Sequence, residues 1–494
     1  MAPSDYAPIS DYALIGDCRS AALVSREGSI DWLCWPRFDS PSLFAAILDR
    51  DRGGRFSVRP VDPFTSTRRY LGETAILETT FQTRDGLARL TDLMPVASER
   101  EKAGALWPDH ELLRRVECVE GTVEVEVVFD PRPDYGRIVP RLEHWPNVGL
   151  ACEHMGRVVA LRSDVPLSVD GGPGRRGRLR LSAGETRTLA LTFEQGLPVV
   201  SPSSDGDVDS RIASTRAWWE AWAADGARFT GPHAEAVQRS AITLKLLSFA
   251  PSGAIVAAPT TSLPEDVGGV RNWDYRYCWL RDASLTLRAL DDVGHAAEAD
   301  AFLSWLLHAT RLTWPELQVL YDVYGEARIP ESVLGHLEGY RRSAPVRVGN
   351  AAADQLQLDV YGEVIDAAWR YVRRGGRLDR TMARTLVGFG RTVVRRWREP
   401  DEGIWEPRSG RRHHTHSKAM CWLALDRLVD LCARGHVAAE AATFARERDA
   451  IRRAIERDGV SERLGCYVSV FGSEGVDASL LLLSVMGYAD PRSE

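Results

Sequence analysis

Between Asp11 and Gln195 apolar and polar residues alternate in short runs broken by Gly and Pro. In Thr122–Phe129 the apolar positions Val123, Val125, Val127 and Phe129 are separated by Glu124 and Glu126, the period of two expected of a strand with one buried face. Leu189, Leu191 and Phe193 repeat the pattern, and Arg26-Glu27-Gly28 reads as a turn between strands at Ala22–Val24 and Ser29–Cys34. No long 3.6-residue period interrupts this stretch, so residues 1–200 are expected to form an antiparallel β-sandwich. The Pro/Ser/Gly-rich run Leu197–Asp207 reads as a linker. A helix at about Val208–Ala223, with Ile212, Trp219 and Trp222 near one face, completes a connecting segment over 201–230 and is expected to pack between the domains.

After Gly231 the period becomes helical. Helices are expected at 232–250, 281–293, 295–310, 354–374, 378–398, 416–433, 436–457 and 477–487. Met420, Ala424, Leu428 and Leu431 make one apolar stripe, and Val437, Ala441, Phe444, Ile451 and Ile455 make another. The fold class is therefore α+β and multidomain, a sheet-rich first part followed by a helical second part. The loops 251–280, 311–353 and 399–415 are long and rich in Trp, Tyr, Asp, Glu, Arg and His, and loops of that kind on a rigid scaffold usually carry the chemistry.

Composition narrows the function more than it widens it. The 494 residues contain 62 Lys and Arg against 69 Asp and Glu, a formal net charge of −7, which gives no electrostatic footprint for nucleic acid or an anionic membrane. The longest apolar runs fall short of the ~18 residues that span a bilayer, and the opening residues lack a secretory signal, so a soluble cytoplasmic protein is expected. The 8 cysteines include no Cys-x-x-Cys pair, which argues against a zinc site or a disulfide framework. The oligomeric state is left open, a homo-oligomer included.

Three clusters suit chemistry. Arg271–Asp282 (RNWDYRYCWLRD) sets four aromatics beside three arginines and two aspartates. Guanidiniums and carboxylates can bond adjacent hydroxyls while flat rings stack on C–H patches, which fits a sugar; a structural knot with Asp282 capping the next helix fits equally well. The second cluster runs from Asp322 to Glu363, with Asp354 and Gln357 expected to share a face on the opening turn of a helix, although acidic groups there also complement the helix dipole. The third is Asp401–Glu406 (DEGIWE) with His413, His414 and His416 downstream. A carboxyl beside Trp405 would be partly desolvated, which raises its pKa and suits a general acid near neutral pH; a solvated loop glutamate is the plainer reading. The histidines match no zinc spacing, and Arg411, Arg412 and Lys418 surround them, so no metal is assigned.

In this order the clusters resemble glycoside hydrolase family 15, the glucoamylase family, in its bacterial trehalase-like branch. The similar segments are Ile15–Phe44, Arg271–Asp282, Pro345–Val364 and Gly403–Asp426. The resemblance implies an (α/α)6 helical barrel over 231–494 and inverting hydrolysis of an α-glucosidic bond, in trehalose or at the terminal glucose of short α-glucans, without a cofactor. It implies Glu406 as the general acid and Trp279, Arg281 and Asp282 as the grip on the glucose. Gly349, Asn350, Asp354 and Trp405 fall where the family lines its pocket, with His414, Ser417 and Lys418 as neighbours. Trp35, Arg37, Phe38 and Asp39 are expected where the sandwich reaches the pocket rim. The family's barrel has twelve helices against about eight patterns found here. The barrel is thus expected to be incomplete, its C-terminal part missing and the catalytic base without a counterpart. The competing reading is a non-catalytic carbohydrate-binding remnant of the same family.

Overall fold

The computed structural model describes residues 6–98, 100–101, 107–168, 174–196, 199, 205–227, 229–311, 313–490 and 492. Most of the expected linker Leu197–Asp207 lies outside the described residues. Contacts divide the chain into two units. The first takes the residues up to Pro251 with Ala258–Arg276 and Ser332–Val348; the second takes Ser252–Ala257, Tyr277–Glu331 and the chain from Gly349 onward.

In the first unit the period-two segments become an antiparallel sheet of 14 strands. Ala21–Ser25 pairs with Ser29–Cys34, and the turn between them needs Gly28, whose φ is 78°. The strand His110–Asp130 joins the two halves of the sheet. Its first half pairs with Gly86–Leu93 and Thr186–Gln195, its second with Arg55–Pro60 and Arg175–Ser182. Side chains from both halves, including Val123, Val125, Val127, Phe129, Leu189, Leu191 and Phe193, share one apolar core. Among the described residues this unit has two α-helices, α1 (Asp205–Asp225) and α2 (Ala234–Leu246). α1 sets Val208 against Ile76, Leu93, Leu113 and Ala190 of the sheet, and Ile212 packs on the same cluster. Arg211 closes that contact with an ion pair to Glu111 at 2.7 Å.

The second unit is helical: α3 (Leu280–Asp292), α4 (Ala297–Ala309), α5 (Asp359–Arg373), α6 (Arg380–Arg396), α7 (Thr415–Ala433), α8 (Ala441–Asp458) and the short α9 (Leu482–Val485). The stripe Met420, Ala424, Leu428, Leu431 is buried on α7, as are Phe444, Ile451 and Ile455 on α8. Asp379 caps α6 by accepting from Met382 N at 2.7 Å. α5 and α7 approach so closely at Gly362 that a Cβ there would overlap the Met420 carbonyl oxygen.

Three helices differ from expectation; the one expected at 436–457 starts only at Ala441, which leaves Val437 outside it. The segment expected to open a helix at 354 is a short 3-10 turn, Ala351–Asp354, followed by an extended link to α5. That link is held straight from outside: Leu356 N donates to Glu402 Oε2 at 2.8 Å and Leu358 N to Asp401 Oδ2 at 3.1 Å, and both bonds replace helical ones. Asp354 and Gln357 therefore share no helical face. The helix expected at 477–487 is a 3-10 turn, Ala478–Leu481, running into the single turn of α9. Among the described residues no helix is long and apolar enough to cross a membrane.

Candidate active site

The start of α3 is fixed by a two-residue ladder. Cys278–Trp279 pairs with Leu320–Tyr321, and Leu280 N donates to Val319 O at 3.1 Å. Trp279 is thereby set at the N-cap position with its ring almost wholly buried, and Arg281 and Asp282 fall in the first turn. The cap is the Trp279 backbone and not the Asp282 side chain, whose carboxylate instead faces Arg281 at 3.0 Å.

The loop before α7 is closed at its base by reciprocal backbone bonds between Asp401 and Arg412, each at 2.9 Å. Gly403 passes so close to His414 that a Cβ would come within 2.6 Å of the imidazole ring, at a φ of 70° that favours glycine. Glu406 itself has φ 55°, the left-handed region where a non-glycine residue is strained; such strain persists only where surrounding contacts impose it. Those contacts converge on one carboxyl oxygen. Oε1 of Glu406 accepts from Trp279 Nε1 at 2.8 Å and from Gln357 Nε2 at 3.2 Å, with both terminal nitrogens of Arg281 at 3.5 Å.

Electrostatics follow from this geometry. Burial pushes the Glu406 pKa up and the Asp282 charge adds to it, while Arg281, Gln357 and Trp279 pull the other way; the net direction is upward. Arg281 stays charged although buried, because Asp282, Glu406, Asp359 and Glu363 surround it. Asp359 and Glu363, on the buried face of α5, are themselves pushed up by burial. The indole that touches the Glu406 carboxyl, through its N–H, is Trp279; Trp405, expected to desolvate it, is 65% exposed.

The other predicted residues separate. Asn350 caps the 3-10 turn through Ala352 N at 2.9 Å, Gly349 passes under the Pro330 carbonyl at φ 77°, and Asp354 ends the turn exposed. None of the three hydrogen-bonds to Glu406 among the described residues. His414 sits at the N-cap of α7, and Lys418 is buried, its Nζ donating to Glu399 O while burial lowers its pKa. In the first cluster, Arg276 and Asp274 are fully buried in the first unit, paired with each other at 2.7 Å; Arg276 also bonds Ser40 O and Tyr135 Oη, each at 2.8 Å. For that half of the cluster the structural reading holds. Trp35 and Phe38 are likewise buried in that unit, and Arg37 pairs with Asp39 at 2.8 Å. Gln357 was overlooked as a contact of the acid because its helical-looking surroundings hid the extended link that aims it.

Residues 231–494 match the glycosyl hydrolases family 15, and residues 2–165 match the trehalase-like N-terminal domain. The chain belongs to glycosyl hydrolase family 15. Relatives include a trehalase of Mycolicibacterium smegmatis, 36% identical over 99% of this chain and 76% of that protein. A trehalase of Mycobacterium tuberculosis is 35% identical over 98% of this chain and 74% of its own length. One of Thermoplasma volcanium is 30% identical over 99% and 77%. In fold, the chain is similar to a bacterial glucoamylase solved with acarbose, with a TM-score of 0.66 at 12% identity, covering 97% of this chain and 73% of that one. As a family-15 member the chain is an O-glycosyl hydrolase with a sheet-rich N-terminal part and a helical C-terminal part.

Proposed function

We propose that this family-15 chain is an inverting hydrolase of the α-glucosidic bond of trehalose, with its helices arranged as in an (α/α)6 barrel and Glu406 as general acid. The observation that carries the reading is the Glu406 carboxyl, sequestered against Trp279 and pushed toward its protonated form within the family-matched segment. An acid that burial helps to keep its proton is what protonation of a departing glycosidic oxygen requires. Arg281 and Asp282, side by side at 3.0 Å in the first turn of α3, supply a donor and an acceptor for neighbouring glucose hydroxyls. Trehalose is favoured over longer α-glucans by the trehalase relatives that align along nearly the whole chain. An inverting reaction also needs a carboxylate ~6.5–9.5 Å across the substrate to activate water. That role is assigned to none of the described carboxylates; Asp359 and Glu363, on α5, are buried and support the Arg281 charge.

The test is glucose release from trehalose, maltose and maltotriose by the wild-type chain and by Glu406→Gln. Glu406→Gln is expected to lower trehalose turnover by roughly 10²–10⁴-fold, the range for losing one acid–base group. Unchanged turnover would remove Glu406 from the mechanism, and a preference for maltotriose would move the substrate to glucoamylase type. Saccharide binding without turnover by the wild-type chain would favour the non-catalytic reading instead.

A further inference from the structure

The two oxygens of the Glu406 carboxyl are not equivalent. Every hydrogen bond made by that carboxyl among the described residues ends on Oε1, from Trp279 Nε1, Gln357 Nε2 and, more weakly, Arg281. Oε1 has two lone pairs, and the two shorter bonds use both. A hydrogen on Oε1 would point at N–H donors that cannot accept it. Oε2 carries no such bond, and the side chain keeps 19% of its surface exposed.

Gln357 is the least obvious of these partners, and its own orientation is determined by what it touches. Its Oε1 accepts from Arg281 at 3.4 Å, so its amide nitrogen faces Glu406. The same nitrogen donates to Gln355 Oε1 at 3.0 Å, and the Gln355 amide returns to the Glu406 carbonyl at 3.4 Å. Reversing the Gln357 amide would set its nitrogen against the Arg281 guanidinium and its oxygen against the carboxyl, which loses both bonds. The side chain is 2% exposed, so water cannot stand in for it. Its position comes from the extended link, which Asp401 and Glu402 hold through Leu358 N and Leu356 N.

We propose that Gln357 is a positioning residue for the acid: with Trp279 it saturates Oε1 of Glu406, so that the proton given to the leaving oxygen is carried on Oε2. The inference rests on Glu406 being the acid, and it adds which oxygen acts and what fixes it. Gln357 touches Glu406 and not the substrate; its effect passes through the carboxyl.

Two NMR titrations of the full chain test it without relying on turnover. In the first, carboxyl-¹³C-labelled glutamate reports the midpoint of Glu406, whose resonance is identified by its loss in Glu406→Gln. Gln357→Met removes a donor that favours the ionised form, so the midpoint is expected to rise by about one pH unit. An unmoved midpoint overturns the positioning role. Should Gln357→Met fail to fold, Gln357→Asn withdraws the same amide and is read the same way. In the second, the indole N–H of Trp279, assigned by its loss in Trp279→Phe, is followed across that titration. With the proton on Oε2 the bond to Oε1 survives and the resonance stays downfield; an upfield collapse as Glu406 protonates would put the proton on Oε1 and overturn the assignment. Full trehalose turnover by Glu406→Gln would defeat the acid reading while leaving both titrations interpretable, so the two failures are distinguishable.

Discussion

Glu406 is under two opposed pulls, and the balance decides its use. Removal from water favours the neutral acid, whereas each N–H donor and the Arg281 charge favour the carboxylate. The shortest bond, from Trp279 Nε1 at 2.8 Å, is the one most worth removing. Trp279→Phe keeps an aromatic ring in the buried site and deletes the donor, along with part of the indole's volume. The expected result is an upward shift of the Glu406 midpoint with a loss of about tenfold in kcat/KM on trehalose, since one hydrogen bond to a charged group contributes about 1.5 kcal/mol or more. Kinetics and the carboxyl titration check both, and a midpoint that fell would mean that Trp279 stabilises the neutral form. At this scale the sequence was informative where a side chain carries its own chemistry. Trp279, Arg281 and Asp282 stood out in one cluster and Glu406 in another, and it was the family resemblance that joined them. Gln357 was not legible, because an amide has no charge or pKa to mark it and its value lies entirely in where two distant carboxylates hold it.

At the level of elements, periodicity was readable wherever packing obeys it. The stripe of α7 and the strand pattern of Thr122–Phe129 became buried faces at the positions read from the sequence. The failure at 354–358 has the opposite origin: Asp401 and Glu402, more than forty residues away, capture backbone N–H groups that a helix would have used. No local pattern encodes that. The α5–α7 contact gives a sharper prediction. Gly→Ala inside a helix usually stabilises by up to about 1 kcal/mol through backbone entropy. At Gly362 the sign should reverse, because the added Cβ overlaps the Met420 carbonyl oxygen and must push α5 and α7 apart. Overpacking of this kind costs about 1–3 kcal/mol. Urea unfolding monitored by circular dichroism should therefore show a lower midpoint for Gly362→Ala, and an equal or higher midpoint would show that the helices can give way freely. The same variant displaces Asp359 and Glu363, its helical neighbours, so the acid's titration should move with the fold.

For the molecule as a whole, stability against pH is set by groups that are buried in the wrong protonation state for water. Glu406, Asp359, Glu363 and Asp401 have raised pKa values, so between their unfolded and folded values rising pH takes stability away. His416 acts in the other direction. It is 2% exposed on α7, both ring nitrogens lack a hydrogen-bond partner among the described residues, and its pKa falls from 6.5 to about 4. Burial is the main cause; Arg281 and His414 push the same way, and Asp401 and Asp477 oppose them. Above pH 6.5 the ring is neutral in both states and its contribution is complete. As pH falls below 6.5 the unfolded chain takes up a proton that the folded chain refuses until about 4, so stability drains across that window. Between pH 7 and pH 5 the loss from this one residue is roughly 2 kcal/mol. The carboxylates act oppositely over part of the same range, so the wild-type curve alone cannot isolate it, but a difference can. His416→Gln removes the titration while keeping a neutral polar side chain, and unfolding free energy measured in urea at pH 7 and pH 5 should decline less in the variant by about that amount. Parallel declines would mean that His416 takes up its proton alike in the folded and unfolded chain, with Asp401 and Asp477 offsetting its burial and the Arg281 charge.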